Sequence, residues 1–242
     1  MKRAAAGMFG ILLLAMAVLG TRVQEGPARR AFTATMHEVR FGAGGVPGYE
    51  ETYLLSVRSD GSTAKVVRRR SRDAQWYEMR VVLDVLGRRR VSIDPITRST
   101  TTYFLSESDI NLMSQPDKSC ISGVETDDVL GYKVRRVTSE DYLQEGASHA
   151  LDALQAPDLD CFALRERSVN GPRGSRSPYT EVSATAILVG EPDPVAFEVP
   201  RNYVERTPSQ VAAEYNKKFG IIPPQRQSEV VSRLDATYKS RQ

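Results

Sequence analysis

Trp76-Tyr77-Glu78-Met79-Arg80-Val81-Val82-Leu83-Asp84-Val85 is the stretch that decides the fold. Tyr77, Met79, Val81, Leu83 and Val85 occupy alternate positions, with Glu78, Arg80 and Asp84 between them. A period of two sends alternate side chains to opposite faces of a strand. The pattern therefore predicts a β-strand with one dry face, the one carrying Tyr77, Met79, Val81 and Leu83.

The same period runs outward in both directions, from Ala31 to about Val189. Phe32, Ala34 and Met36 share a face in one segment, and Tyr53, Leu55 and Val57 in the next. Ser59-Asp60-Gly61-Ser62 then returns the chain through Lys65, Val66 and Val67, and an Asp-Gly between alternating runs is a hairpin signal. Further strands are expected at 89–93 and 99–105, separated by Asp94-Pro95, and at 131–138, 161–167 and 179–189. The polar stretch 106–128, broken by Pro116, reads as a loop with one helical turn near Asp109 to Met113. Residues 140–156 read as a second short helix or a long excursion, and Asn170-Gly171-Pro172-Arg173-Gly174 as a loop tip. Successive strands joined by short turns imply an antiparallel sheet.

Past residue 206 the period changes. Thr207-Pro208-Ser209-Gln210 combines an N-cap Thr, a Pro at the first helical position and a Gln placed to complete a capping box. Val211, Tyr215 and Phe219 follow at steps of four, and Lys217, Lys218 and Gly220 end the helix. A second helix is expected from about Gln227 to Lys239, with Leu234 and Tyr238 on its apolar stripe.

At the other end, Lys2 and Arg3 precede a small and apolar run from Ala4 to Gly20, the pattern of a secretory signal peptide. Val18-Leu19-Gly20 puts the expected cleavage after Gly20. An uncleaved anchor would need about 20 apolar residues, a length the run barely approaches. The absence of a Cys near the cleavage site excludes a lipid-anchored form. The expected organisation is a signal peptide at 1–20, a flexible N-terminus at 21–30, a β domain at 31–206 and a helical extension at 207–242.

Removing the presequence leaves about 220 residues, enough for one domain with a sizeable core. Lys2 and Arg3 leave with it, so of 33 basic and 30 acidic residues 31 and 30 remain, a net +1. That balance does not suggest nucleic acid as a partner. No later apolar run is long enough to span a bilayer. Export would place Cys120 and Cys161 in an oxidising compartment, where a disulfide is the expected state. A closed loop of 41 positions would contribute about 4 kcal/mol on the chain-entropy model.

Chemistry-bearing motifs are sparse. His37 lies on the strand side opposite Phe32, Ala34 and Met36, and His149 lies in a polar stretch; neither has metal-ligand spacing. Gly-x-Ser-x-Gly, His-Glu-x-x-His and phosphate-cradling Gly-rich patterns are missing. Ser62-Thr63-Ala64-Lys65 matches Ser-x-x-Lys, but it leaves a turn and enters a strand, which sends Ser62 and Lys65 to opposite faces. Asp158 and Asp160 read as a solvated strand entry. Arg68, Arg69, Arg70 and Arg72 end one strand while Arg88, Arg89 and Arg90 begin another, so a merged cationic rim is one expectation and ordinary charged sheet ends the other. No catalytic set, metal site or cofactor is expected.

Three segments carry a family resemblance: Val129-Leu130-Gly131-Tyr132-Lys133-Val134, Ala156-Pro157-Asp158-Leu159-Asp160-Cys161 and Phe197-Glu198-Val199-Pro200-Arg201-Asn202-Tyr203. With the presequence and the strand series, they resemble exported bacterial proteins of the broad LolA-like group. An α+β fold is expected: the resemblance implies a large curved antiparallel sheet forming an incomplete β-barrel with short helices, while the two C-terminal helices read above are a departure from the chaperone of that group. The resemblance also implies a non-enzymatic periplasmic protein that binds a lipid, a lipidated protein or another hydrophobic ligand on the concave face. Tyr77, Met79, Val81 and Leu83 are the expected lining, since adaptable Met and large apolar groups suit acyl chains. The alternative is an envelope interaction or sensor protein whose C-terminal helices contact a protein partner.

Overall fold

The computed structural model describes residues 29–42, 45–114, 119–142, 147–172, 177–220 and 225–242. The signal peptide and its cleavage site lie outside them. Six strands come first: β1 (Phe32–Phe41), β2 (Pro47–Val57), β3 (Thr63–Arg70), β4 (Trp76–Asp84), β5 (Arg89–Asp94) and β6 (Ser99–Phe104). Helix α1 (Glu107–Ser114) follows, then β7 (Val124–Val129), β8 (Tyr132–Tyr142), β9 (Ala147–Ala156), β10 (Phe162–Pro172) and β11 (Ser177–Val189). The two-residue β12 (Val204–Glu205) precedes α2 (Pro208–Phe219) and α3 (Gln225–Ser240).

These strands form one curved, unclosed sheet in the order β12-β6-β5-β4-β3-β2-β1-β11-β10-β9-β8-β7. Two antiparallel meanders, β1–β6 and β7–β11, are joined where β11 lies along β1. The incomplete barrel implied by the resemblance is therefore the observed architecture. One pair departs from the antiparallel rule: β12 runs parallel to β6, Val204 opposite Ser99.

Local chemistry explains the turns that were read correctly. Between β2 and β3, Gly61 has φ +85° and Ser62 N donates to Asp60 Oδ1 at 2.7 Å, an arrangement that a side-chain acceptor and a glycine together permit. At α2, Thr207 Oγ1 accepts from Gln210 N and the Gln210 side chain accepts from Thr207 N, closing the capping box. Gly220 ends that helix in the left-handed conformation.

Two segments differ from expectation. Residues 147–156, read as helix or excursion, form β9, because pairing with β8 and β10 on both sides outweighs the helix propensity of Ala, Leu and Gln. The supposed loop 106–128 ends in β7, which begins at Val124. Asn170 to Pro172 prolong β10, while 173–176 lie outside the described residues.

The Cys120–Cys161 disulfide is formed, with Cα atoms 5.5 Å apart. It fastens the turn before β7 to the start of β10, beside the core of Phe32, Ala34, Met36, Val134, Leu159 and Leu164. A second, smaller core of Ala64, Val82, Val91 and Ile93 lies on the other side of the sheet. Ala196, Phe197 and Val199, from the strap between β11 and β12, cover it.

Candidate ligand-binding face

Strand register places three of the four anticipated lining residues in continuous rows, while the fourth, Tyr77, pairs with Arg69 at the charged end of the face. Met79 of β4 lies opposite Val67, which pairs with Tyr53 and through it with Met36. Val81 aligns with Lys65, Leu55 and Ala34, and Leu83 with Thr63, Val57 and Phe32. Phe32, Ala34 and Met36 are sealed in the main core, so we call this side of the sheet the inner face. Each row starts in the sealed core and ends on a half-buried residue of β4, and Tyr77, Met79, Val81 and Leu83 are all only half-buried, although Val67 beside Met79 is still buried.

The expectation of one dry face on β4 is thus corrected. The fully buried residue within β4 is Val82, on the outer face beneath the strap, not a member of the Tyr77–Leu83 set. Both sides of β4 are covered in part, and a simple alternation does not describe such a strand.

The two C-terminal helices lie on the inner side. Lys218 near the end of α2 reaches Tyr77 at the head of β4, and Tyr238 of α3 meets Tyr103 edge-on, centroids 5.6 Å apart. Ser209 N donates to Asp235 Oδ1 at 2.9 Å and joins the helices to each other. Arg241 pairs with Asp109 at 3.1 Å, and Gln242 Nε2 donates to Thr102 O at 2.8 Å, which fixes the chain end to β6. Yet α2 buries none of its residues, and Leu234 of α3 is 46% exposed. The hairpin is anchored at its ends without being packed as core.

Above Met79 the inner face turns polar. Glu38 and Glu51 occupy positions in the apolar register of β1 and β2 and are both buried. Lys65 stands between them, 3.4 Å from Glu38 and 3.3 Å from Glu51, with its ammonium 3.6 Å from the Tyr53 ring centroid. Arg40 pairs with Glu38 at 2.6 Å, Arg69 with Glu51 at 2.5 Å, and the Tyr49 hydroxyl donates to Glu51. Carboxylates out of water require such partners. Burial pushes the Glu51 carboxyl up, but hydrogen bonds from Tyr49 and Arg69, with the charges of Arg69 and Lys65, hold it below its ordinary value. Burial, with Glu38 and Glu51 nearby, pushes the Tyr53 phenol to about 12. This cluster was not anticipated; charged residues in the dry register of three adjacent strands were the available signal.

The remaining sequence candidates resolve as structural features. Ser62 Oγ accepts from Val85 N at 3.1 Å, and Lys65 is on the opposite face, so the Ser-x-x-Lys match brings no nucleophile to a base. His37 is on the outer face as expected and bonds Glu50 at 2.7 Å; His149, on β9, bonds Asn170 at 2.6 Å. Asp160 adopts φ +53° and accepts from Arg30 N at 2.5 Å. The merged cationic rim does not form. Arg68–Arg70 end β3 at the head of β4, whereas Arg89 pairs with Asp84 at the foot of β4, so the two clusters occupy opposite ends of the sheet. Among the described residues no cluster of His, Cys, Asp and Glu could hold a metal.

The fold and this face define an open, curved-sheet protein with a helix hairpin over part of its inner side. No family model matches the chain, and no curated protein matches it in sequence. Among solved structures it is similar to MucB, at 13% identity over 74% of this chain and 60% of that one, with a TM-score of 0.44. LprF from Mycobacterium bovis (9% identity, 72% and 90% coverage, TM-score 0.33) is another neighbour. So is the LolA superfamily protein NE2245 from Nitrosomonas europaea (6% identity, 71% and 91% coverage, TM-score 0.35), a member of the group that the sequence resembles. The chain spans 60% of the MucB structure's length.

Proposed function

We propose that this protein is an exported binder of a lipid acyl chain or similar hydrophobic ligand, held between Tyr77, Met79, Val81 and Leu83 and the C-terminal helix hairpin. One observation carries the reading. Three rows of side chains leave the sealed core and continue, half-exposed, beneath helices that bury nothing of α2. Apolar surface of this kind gains about 25 cal/mol per Å² when a ligand removes it from water. Lys65, within the Val81 row, and Arg69 would stay with the carboxylates they already neutralise, leaving Met79, Val81 and Leu83 to the chain. No described helix is long and apolar enough to cross a membrane, and the presequence at 1–20 supports delivery to the periplasm.

The test is titration of delipidated protein with the fluorescent fatty acid cis-parinaric acid, alongside native mass spectrometry of freshly purified protein. Saturable binding is expected, weakened about tenfold or more by Val81→Asp. Finding no copurifying lipid and no saturable binding would overturn the proposal.

Exposed Leu234 on α3 favours a second reading, in which the hairpin meets a protein partner of the envelope. Deleting 207–242 separates the two. A partner adaptor stays folded and loses its complex, while a lid variant stays folded and loses fatty acid.

A further inference from the structure

On the outer face, the strap between β11 and β12 leaves a cavity of about 120 Å³ against β4 and β5. Its apolar lining is Val82, Val91 and Val199, with Phe197 at one side. Ser62 and three charged side chains complete it. Arg89 Nε donates to Asp84 Oδ2 at 3.1 Å, so these two neutralise each other. Arg58 lies over the Phe197 ring, its guanidinium carbon 4.9 Å from the centroid, and among the described residues no carboxylate comes within ion-pair distance of it. The cavity lining therefore has one cation in excess.

We propose that this cavity binds a monoanionic carboxylate carrying a small branched aliphatic or aromatic group. The Phe197 ring holds the Arg58 guanidinium beside the cavity, and with no carboxylate among the described residues in ion-pair distance of it, a bound carboxylate can accept from it in bidentate fashion. The half-buried Val199 and Phe197, above a floor of the sealed Val82 and Val91, match an apolar group attached to that carboxylate, and a single excess charge suits a monoanion better than a strongly hydrated dianion. Size restricts the choice further. Pockets for drug-sized molecules begin near 300 Å³, so about 120 Å³ admits one branched side chain and not an acyl chain.

The walls are held in advance of binding. Arg80 Nη1 donates to Val195 O at 3.0 Å, Val195 N donates to Asp193 Oδ1 at 2.9 Å, and Ser59 N donates to Glu191 Oε1 at 3.1 Å. The Ser59 and Arg80 bonds fasten the strap to the sheet ahead of Phe197, Arg80 Nη1 also reaches Glu198 O at 3.4 Å just past it, and a preformed site loses less to ordering on binding. Val82 and Val81 point to opposite faces, so this site is separate from the proposed acyl-chain face. Two sources offer the same chemistry, a free branched-chain acid and the C-terminal carboxylate of a peptide ending in an apolar residue.

The experiment is methyl NMR of valine-labelled full-length mature protein, titrated with 4-methylpentanoate, its neutral amide, and N-acetyl-leucine. Saturable shifts confined to Val82, Val91 and Val199 are expected with a carboxylate. Binding should weaken about tenfold or more for the amide and in Arg58→Gln, and vanish in Val199→Phe, which fills the cavity. N-acetyl-leucine binding more tightly than 4-methylpentanoate assigns the site to a peptide terminus, and the reverse order to a free acid; both support the proposal. Absence of saturable shifts with either carboxylate overturns it, as does equal affinity for the amide or for Arg58→Gln with its spectrum otherwise intact.

Discussion

Lys218 lies over Tyr77, its ammonium 5.3 Å from the ring centroid and 3.4 Å from the phenol oxygen, with Asp73 a further 0.3 Å away at 3.7 Å. The Tyr77 hydroxyl donates to Asp73 Oδ2 at 2.7 Å, which raises the phenol and holds the Asp73 carboxyl below its ordinary value. This exposed trio is where the end of α2 meets the head of β4.

Lys218→Met removes the charge that joins the hairpin to the sheet. Amide exchange near the end of α2 should accelerate severalfold while the melting temperature scarcely moves, since exposed ion pairs contribute little to global stability. Unchanged exchange would mean that the hairpin is held by other contacts.

Val81 and Val82 are chain neighbours on opposite faces. Val82→Asp puts a carboxylate into the sealed outer core under Phe197 and should cost about 3 kcal/mol or more. Val81→Asp puts one on the half-exposed inner face across from Lys65, so chemical denaturation should show a far smaller loss. Equal losses would show that the inner side of β4 is core.

Glu51 links stability to acid. Its carboxyl is lower in the folded chain than its ordinary 4.5, so the unfolded chain binds the proton first. Its contribution is complete above about 4.5 and is lost as pH falls through the folded value. Glu51→Gln should lower stability at neutral pH by about 2 kcal/mol, less than for a fully buried pair because Arg69 and Lys65 remain partly in water. Urea unfolding at stepped pH should also show a shallower acid slope in the variant.

Tyr53 acts at the alkaline end. Its phenol rises from 10.0 to about 12, so its contribution is complete below 10.0 and disappears as pH rises through about 12. Tyr49, Tyr77, Tyr103 and Tyr238 are also raised, so absorbance at the tyrosinate band should show several late phenols, of which Tyr53→Phe removes the one ionising near 12.

Replacing Cys120 and Cys161 together by Ala should cost about 4 kcal/mol in urea unfolding, the loop-closure value for 41 positions. Reduction of the wild-type chain should reproduce most of that loss. A change below about 1 kcal/mol would show that Leu159 and Val134 hold this corner without the bond.

Much of the fold was legible because its signals are local. The alternation of Trp76–Val85 marked β4, Asp60-Gly61 marked the hairpin, and Thr207-Pro208-Ser209-Gln210 marked the start of α2. β9 was illegible because Ala147–Ala156 has no consistent alternation and takes its conformation from two neighbouring strands. Of the candidate site, the shared face of Tyr77, Met79, Val81 and Leu83 was readable, but the adjoining Glu38–Lys65–Glu51 cluster was not, since it depends on the register of three strands.

By itself, then, the sequence determined which segments extend, where α2 is capped and that only one pairing of cysteines is available, because each follows from residue type and spacing along the chain. Tertiary structure decided which side of β4 is sealed and which stays half-open. Burial depends on what crosses the sheet, and that is set by a strap from 190–206 on one face and a helix hairpin from 208–240 on the other, each far from β4 in sequence.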